Sequence, residues 1–191
     1  MVRTGIFGGS FNPIHNGHIQ LVRQLREAAK LDEVWLMVSP QNPLKQQAGL
    51  LADDLRLQMA QKALVDDPNI CVSDYEFHLP RPSYTWNTLQ NLEQDYPDRE
   101  FVLLIGGDNW ERFHRWFRAD DIIRNYQLIV YPRRGSDIDI ENLPPSVTVV
   151  EAELLDISST DIRRRVRRGQ PITGLVPDSV VKDVERLYGQ Y

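Results

Sequence analysis

Phe101-Val102-Leu103-Leu104-Ile105 is an unbroken apolar run that ends in Gly106-Gly107, and the chain holds others of the same kind. Val34-Trp35-Leu36-Met37-Val38 breaks at Ser39-Pro40-Gln41-Asn42-Pro43, and Leu128-Ile129-Val130-Tyr131 stops at Pro132. Short segments that are apolar at every position read as strands covered on both faces. Val2 to Phe7, Ile70 to Tyr75 and Val147 to Val150 complete the strand set. Between them lie stretches of helical period. One runs through Ile19, Val22, Leu25 and Ala29, widened by Leu21 and Ala28, and ends near Lys30; the next spans Leu51 to Val65 on Leu55, Met59, Ala63 and Leu64; a third covers Thr85 to Asp95. Strands separated by helices predict an α/β chain with a doubly wound parallel sheet. Gly135 to Pro145 reads as an exposed loop. At 191 residues the expectation is a single domain, 1–191, with a helical C-terminal portion from about 156 to 191.

In such sheets ligands sit beyond the carboxyl ends of the strands, where the strand order reverses. Three loops should therefore converge: the one after Phe7, the proline-rich one after Val38, and Gly106-Gly107-Asp108 after Ile105. The first reads Gly8-Gly9-Ser10-Phe11-Asn12-Pro13-Ile14-His15-Asn16-Gly17-His18. Glycines let backbone N–H groups approach phosphate oxygens, and a helix N-terminus favours negative charge. His15 and His18, at i and i+3, can share one face and reach one anion. Neither the dinucleotide fingerprint nor a P-loop fits this spacing. An ordinary βα turn with surface histidines is the bland alternative; a metal pair is another, although no Cys or Glu nearby completes a shell.

Near the other end stands Asp156-Ile157-Ser158-Ser159-Thr160-Asp161-Ile162-Arg163. Ser158 to Thr160 can cap a helix and offer amides and hydroxyls to an anion, with Arg163 one turn further on. Taken alone, a solvated basic helix with a merely structural cap is the favoured reading. Arg164, Arg165, Arg167 and Arg168 cannot all share a face and read mostly as surface.

Charge and cysteine content bound the partners. A formal charge of −5 argues against general nucleic-acid binding. The single cysteine, Cys71, excludes an internal disulfide, suits a reducing cytoplasm, and reads as buried filler in its strand. No apolar run approaches membrane-spanning length, and Met1 leads into a strand rather than a signal peptide. The expectation is a cytoplasmic protein with small-molecule partners, no nucleic acid and no membrane.

Together, Gly-Gly-Ser-Phe-Asn-Pro-Ile-His-x-Gly-His and Ile-Ser-Ser-Thr-x-Ile-Arg resemble the two signatures of the nucleotidylyltransferase superfamily. Pro82-Ser83-Tyr84-Thr85-Trp86-Asn87-Thr88-Leu89 and Gly106-Gly107-Asp108-Asn109, followed by Phe113-His114-Arg115-Trp116-Phe117, look like the bacterial nicotinate-nucleotide adenylyltransferases. The likeness runs from Thr4 to about Tyr188. It implies a Rossmann-like fold and adenylyl transfer from ATP to nicotinate mononucleotide, giving deamido-NAD and pyrophosphate in NAD biosynthesis. His15, His18 and Arg163 would be catalytic. Gly8, Gly9, Ser10, Phe11, Gly106, Asp108, Ser158, Ser159 and Thr160 would join them in binding ATP. Lys45, Ser83, Tyr84, Thr85, Trp86, Asp108, Trp116 and Phe117 would bind the mononucleotide. Magnesium would enter through the phosphates, with Asp108 its candidate protein contact and no dedicated metal site.

For several of these residues a plainer reading competes. Trp116, flanked by Phe113 and Phe117, could be core; Trp35 reads as core, and Trp86 and Trp110 fit either description. Lys45 could simply be solvated, and Asp108 could cap the segment at Asn109. Two departures from the family stand out: Pro80-Arg81-Pro82 where glycine is common, and Tyr131-Pro132-Arg133-Arg134-Gly135 in place of Arg-Pro-Gly, which leaves Arg133 and Arg134 without assigned roles. Rival functions are the same transfer to nicotinamide mononucleotide or phosphopantetheine, a non-catalytic nucleotide sensor, and a DNA binder suggested by the arginine run.

Overall fold

The computed structural model describes residues 1–42 and 47–190. Lys45 lies outside the described residues. Six strands form one parallel sheet: β1 (Val2–Gly9), β2 (Glu33–Val38), β3 (Ile70–Ser73), β4 (Arg99–Gly106), β5 (Gln127–Tyr131) and β6 (Val147–Val149). Their spatial order is β3-β2-β1-β4-β5-β6, so the winding reverses between β1 and β4. The doubly wound parallel sheet expected from the apolar runs is the fold of the chain.

Alternation along the strands sorts their side chains between two cores. Phe7, Leu36, Val102 and Leu104 face α1 (Asn16–Ala28) and α2 (Asp53–Ala63). Ile6, Met37, Leu103 and Ile105 face α3 (Thr85–Asp95) and α5 (Ala119–Asn125). Each fully buried side chain of this kind contributes about 1.5–3 kcal/mol, which fastens the helices to opposite faces. A third cluster joins Leu51 and Met59 to Ile162 of α6 (Ser159–Arg167) and to Val184 and Tyr188 of α7 (Val181–Tyr188). The C-terminal helices thus pack against α2 and against one another.

Element boundaries differ from the sequence expectation in informative ways. Strand β1 does not end at Phe7: Gly8 and Gly9 stay paired with Met37 and Val38, so the glycines are the last rungs of the strand. Helix α1 stops at Ala28, where Lys30 takes a left-handed φ of 53° and the Leu31 amide closes on the Arg26 carbonyl at 2.9 Å. Ala28 faces solvent, because the buried stripe is Ile19, Leu21, Val22 and Leu25. Helix α2 covers only the middle of the Leu51–Val65 stretch. Strand β3 ends at Ser73, and Tyr75–His78 form a 3₁₀ turn. Cys71 is exposed, not buried. On the sheet's edge strand Ile70 faces the core and the next residue points away from it. Gly107–Glu111 form α4, whose N-cap is Gly106; Asp108 therefore sits in its first turn and does not cap it. Among the described residues no helix is long and apolar enough to cross a membrane.

Candidate active site

Two cavities open at the carboxyl ends of the strands, one beside α1 and the other beside α3. The larger has a volume of about 360 Å³, the smaller about 200 Å³, and Phe7, Gly8, Gly9, Asn109 and Tyr131 line both. Gly8 has open space on the side where a Cβ would sit, with no atom within 4 Å. The loops after β1 and β4 meet here as the sequence implied, and Ser39 at the end of β2 joins them.

In the larger cavity His15 is the N-cap of α1, and its pairing with His18 is reciprocal. The His18 amide donates to Nδ1 of His15 at 3.3 Å, and the His15 amide donates to Nδ1 of His18 at 3.1 Å. Each Nδ1 is thus an acceptor, so the proton of each neutral ring resides on Nε2. The rings stack at 3.6 Å between centroids, 19° from parallel, and Phe11 meets His18 edge-on at 5.0 Å. Burial, and then the nearby Arg133 charge, lower the His15 pKa to about 4; burial, His15 and Arg133 hold His18 well below the ordinary imidazole value. Both rings are neutral N–H donors at physiological pH. Gly17 permits this arrangement, because a Cβ there would lie 2.9 Å from the His15 ring.

The C-terminal signature docks on the same loop. Ser158 caps α6 by accepting from the Asp161 amide at 3.1 Å, and Ser159 Oγ donates to the Pro13 carbonyl at 2.8 Å. Arg163 donates from Nη1 to the Asn12 carbonyl at 2.8 Å and from Nη2 to Thr160 Oγ1 at 3.3 Å. Ser158 and Ser159 line the larger cavity together with Ser10, and Thr160 and Arg163 do not. Asn12 is the junction: its Nδ2 donates to the Gly49 carbonyl, and its Oδ1 accepts from the Leu51 amide and, at 2.5 Å, from the Tyr188 hydroxyl.

Both Arg133 and Arg134 are exposed, and Arg133 alone of the two lines the larger cavity. Oδ1 of Asp108 is shielded from solvent without a hydrogen-bond partner, 3.9 Å from Arg133 Nε. A buried carboxylate oxygen in that condition suits a donor brought by a ligand, such as a ribose hydroxyl or a hydrated cation. Among the described residues no three His, Cys, Asp or Glu side chains gather to hold a metal ion alone.

The smaller cavity is walled by Trp116 together with Ser39, Glu76, Ser83, Thr85 and Thr88. Trp116 is only partly buried, resting on the buried Phe113 at 4.8 Å. No side chain caps α3, whose first residue, Thr85, lines the cavity. Other residues assigned here from sequence stand apart. Tyr84 and Phe117 are exposed and pack on each other at 5.0 Å, and Trp86 lies beneath the Arg118 guanidinium at 4.8 Å. None of the three walls the cavity. Trp35 is core, as expected, and Trp110 stacks on Phe113 at its margin.

Sequence reasoning missed Arg56 and Glu76. Fully buried on α2, Arg56 donates to the carbonyls of Leu51, Ser10 and Ser39 at 2.9, 2.6 and 2.9 Å and pairs with Asp53 at 2.5 Å. It binds the loops after β1 and β2 to each other. The other oxygen of Asp53 accepts from Arg81 at 3.2 Å, which extends the network to the Pro80–Pro82 loop. Glu76 is held by the Ser83 hydroxyl, and burial pushes its carboxyl up to about 7. Nothing local announces either residue: one looks like a surface arginine between leucines, the other like an acid in a turn.

Residues 6–165 match the family described as cytidylyltransferase-like. A Bacteroides fragilis protein named "Probable nicotinate-nucleotide adenylyltransferase" is 50% identical over 95% of this chain and 90% of its own length. One of the same name from Cytophaga hutchinsonii is 42% identical over 97% and 95%. In fold, the chain is similar to a Plasmodium falciparum nicotinic acid mononucleotide adenylyltransferase complexed with NaAD, with a TM-score of 0.80, 20% identity and 98% of each chain covered. Two signature loops on one rim of the sheet, and relatives alike over nearly their whole length, place the chain in the nicotinate-nucleotide adenylyltransferase family.

Proposed function

We propose that the protein transfers the adenylyl group of ATP to nicotinate mononucleotide, forming deamido-NAD and releasing pyrophosphate. The observation that carries this reading is the pair of cavities sharing one wall at Gly8 and Gly9, one with two neutral imidazole donors, the other with an exposed tryptophan face. A triphosphate suits the first, and a flat pyridine ring suits the second. The reacting phosphorus then belongs at the shared wall.

The attacking group, a phosphate oxygen of the mononucleotide, is already anionic, so no strong base is required. It attacks the α-phosphorus in line, and the bond to the bridging oxygen of pyrophosphate breaks. Catalysis is then positioning and charge stabilisation. His15 and His18 donate from Nε2 to the α- and β-phosphate oxygens, with His18 stabilising the transition state. Ser158, Ser159 and Thr160 hold the leaving group, and Arg163 exchanges the Asn12 carbonyl for its phosphates. Lys45 meets the mononucleotide phosphate. Magnesium bound with ATP would supply charge neutralisation at the phosphates, and Asp108, whose buried Oδ1 has no hydrogen-bond partner, would be the residue to hold the ion or one of its waters. Trp116 stacks on the pyridine ring, and the amides opening α3 receive its carboxylate.

The test is turnover of ATP with nicotinate mononucleotide and, separately, nicotinamide mononucleotide, following pyrophosphate and dinucleotide together. Stoichiometric release of both products with the acid supports the reading. Nucleotide binding without pyrophosphate release would make the protein a sensor instead.

A further inference from the structure

Among the described residues that line the smaller cavity, Glu76 is the one carboxylate, and no Lys, Arg or His lines it. A carboxylate is an odd neighbour for a substrate that carries a carboxylate of its own. The residues shared by the two cavities fix which end of the ring it meets. Ribose and phosphate must leave toward the shared wall of Gly8, Gly9 and Asn109, so the ring substituent turns toward the unshared side, where Glu76, Ser83 and Thr85 stand.

We propose that Glu76 reads this substituent: as a neutral carboxylic acid it donates a hydrogen bond to the nicotinate carboxylate, and as a carboxylate it repels that group and accepts from a carboxamide N–H instead. The acid-over-amide preference of the enzyme therefore follows the protonation of one side chain and weakens as pH rises. This rests on the proposed transfer to a pyridine mononucleotide.

The surroundings shift the carboxyl toward its neutral form. Burial raises the Glu76 carboxyl to about 7, and the Ser83 hydroxyl offsets only part of that. Neighbouring charges are engaged elsewhere. On its own turn, Asp74 pairs with His78 at 3.1 Å and the Tyr75 hydroxyl donates to Asp95 of α3 at 2.6 Å. From the 79–84 loop, Arg81 pairs with Asp53. The cavity-facing residues of α3, Thr85 and Thr88, carry no charge, and from β5 Tyr131 is held neutral by burial, its hydroxyl pushed up to about 12. Among the described residues of the cavity wall no cation compensates an ionised Glu76. Proton uptake relieves it.

The experiment is the ratio of kcat/KM for the acid and amide mononucleotides across about pH 6 to 8.5, in the wild type and in Glu76→Gln. Titration of the substrate phosphate affects both compounds alike and cancels in the ratio. In the wild type the ratio should fall by up to about tenfold per pH unit above the Glu76 titration. In Glu76→Gln, whose amide can donate or accept at any pH, it should stay flat. A flat wild-type ratio, or the same slope in the variant, overturns the assignment of Glu76. Calorimetry of the wild type at about pH 8, in two buffers of different ionisation enthalpy, gives an independent reading. Binding of the acid should take up more protons than binding of the amide, approaching one; equal uptake would sink the proposal. Failure of the wild type to form a dinucleotide from either compound would instead overturn the proposed function.

Discussion

In the larger cavity the imidazoles of His15 and His18 are fixed by amides of their own helix turn, over a glycine that leaves room for one ring. In the smaller cavity Trp116, Glu76 and Ser83 come from three separate segments, and two of the aromatic residues beside them, Tyr84 and Phe117, face solvent. Phosphate chemistry needs donors that do not reorganise, because charge developing in the transition state is stabilised best by groups already in place. Recognition of a ring needs shape and a few polar contacts, which loops can supply. The histidine pair of the first cavity is thus set by local geometry, and the ring-facing wall of the second by tertiary packing.

That contrast can be broken at its root by substituting Arg56, which serves both sides. Arg56→Leu should cost about 3–5 kcal/mol of stability in denaturant unfolding, since it strands three carbonyls and the Asp53 carboxylate. A loss below about 1 kcal/mol would mean that the loops hold without it. Next in size is His18→Ala, which should lower turnover by roughly 10²–10³, about 2.7–4 kcal/mol, with the fold intact. Wild-type turnover in a folded variant would remove His18 from the reaction. Trp116→Ala sharpens the comparison from the other side. It should raise KM for the mononucleotide by at least about two- to tenfold, the scale of ring stacking alone, and leave KM for ATP nearly unchanged. Equal increases for both substrates would make Trp116 a packing residue.

The same contrast explains how much of the molecule is legible in its sequence. Apolar runs such as Phe101–Ile105 announce buried strands, and the reversal between β1 and β4 puts Gly8, His15 and Gly106 on one rim. The histidine loop is legible because its signal is local: glycines, a cap and a helix start within a few residues. Arg56 is not, because three of its four partners are carbonyls whose approach depends on loop closure and leaves no trace in composition. Glu76 owes its character to a cavity formed by other segments. Cys71 misleads because an edge strand and a central strand have similar sequences, while only the sheet order says which face is covered. Arg163 stands out as a cation one turn into a helix, yet its engagement with Asn12 rests on a contact spanning 151 residues.

At Gly8 nothing in the protein crowds the side where a methyl group would go, and φ lies outside the left-handed region, so the scaffold itself makes no demand for glycine there. Gly8 lines both cavities, so this open space belongs to the wall that they share. An alanine at this position would be inherited without harm by the folding process and felt only by the incoming molecules. A methyl group there would take up cavity volume and not the protein's own packing.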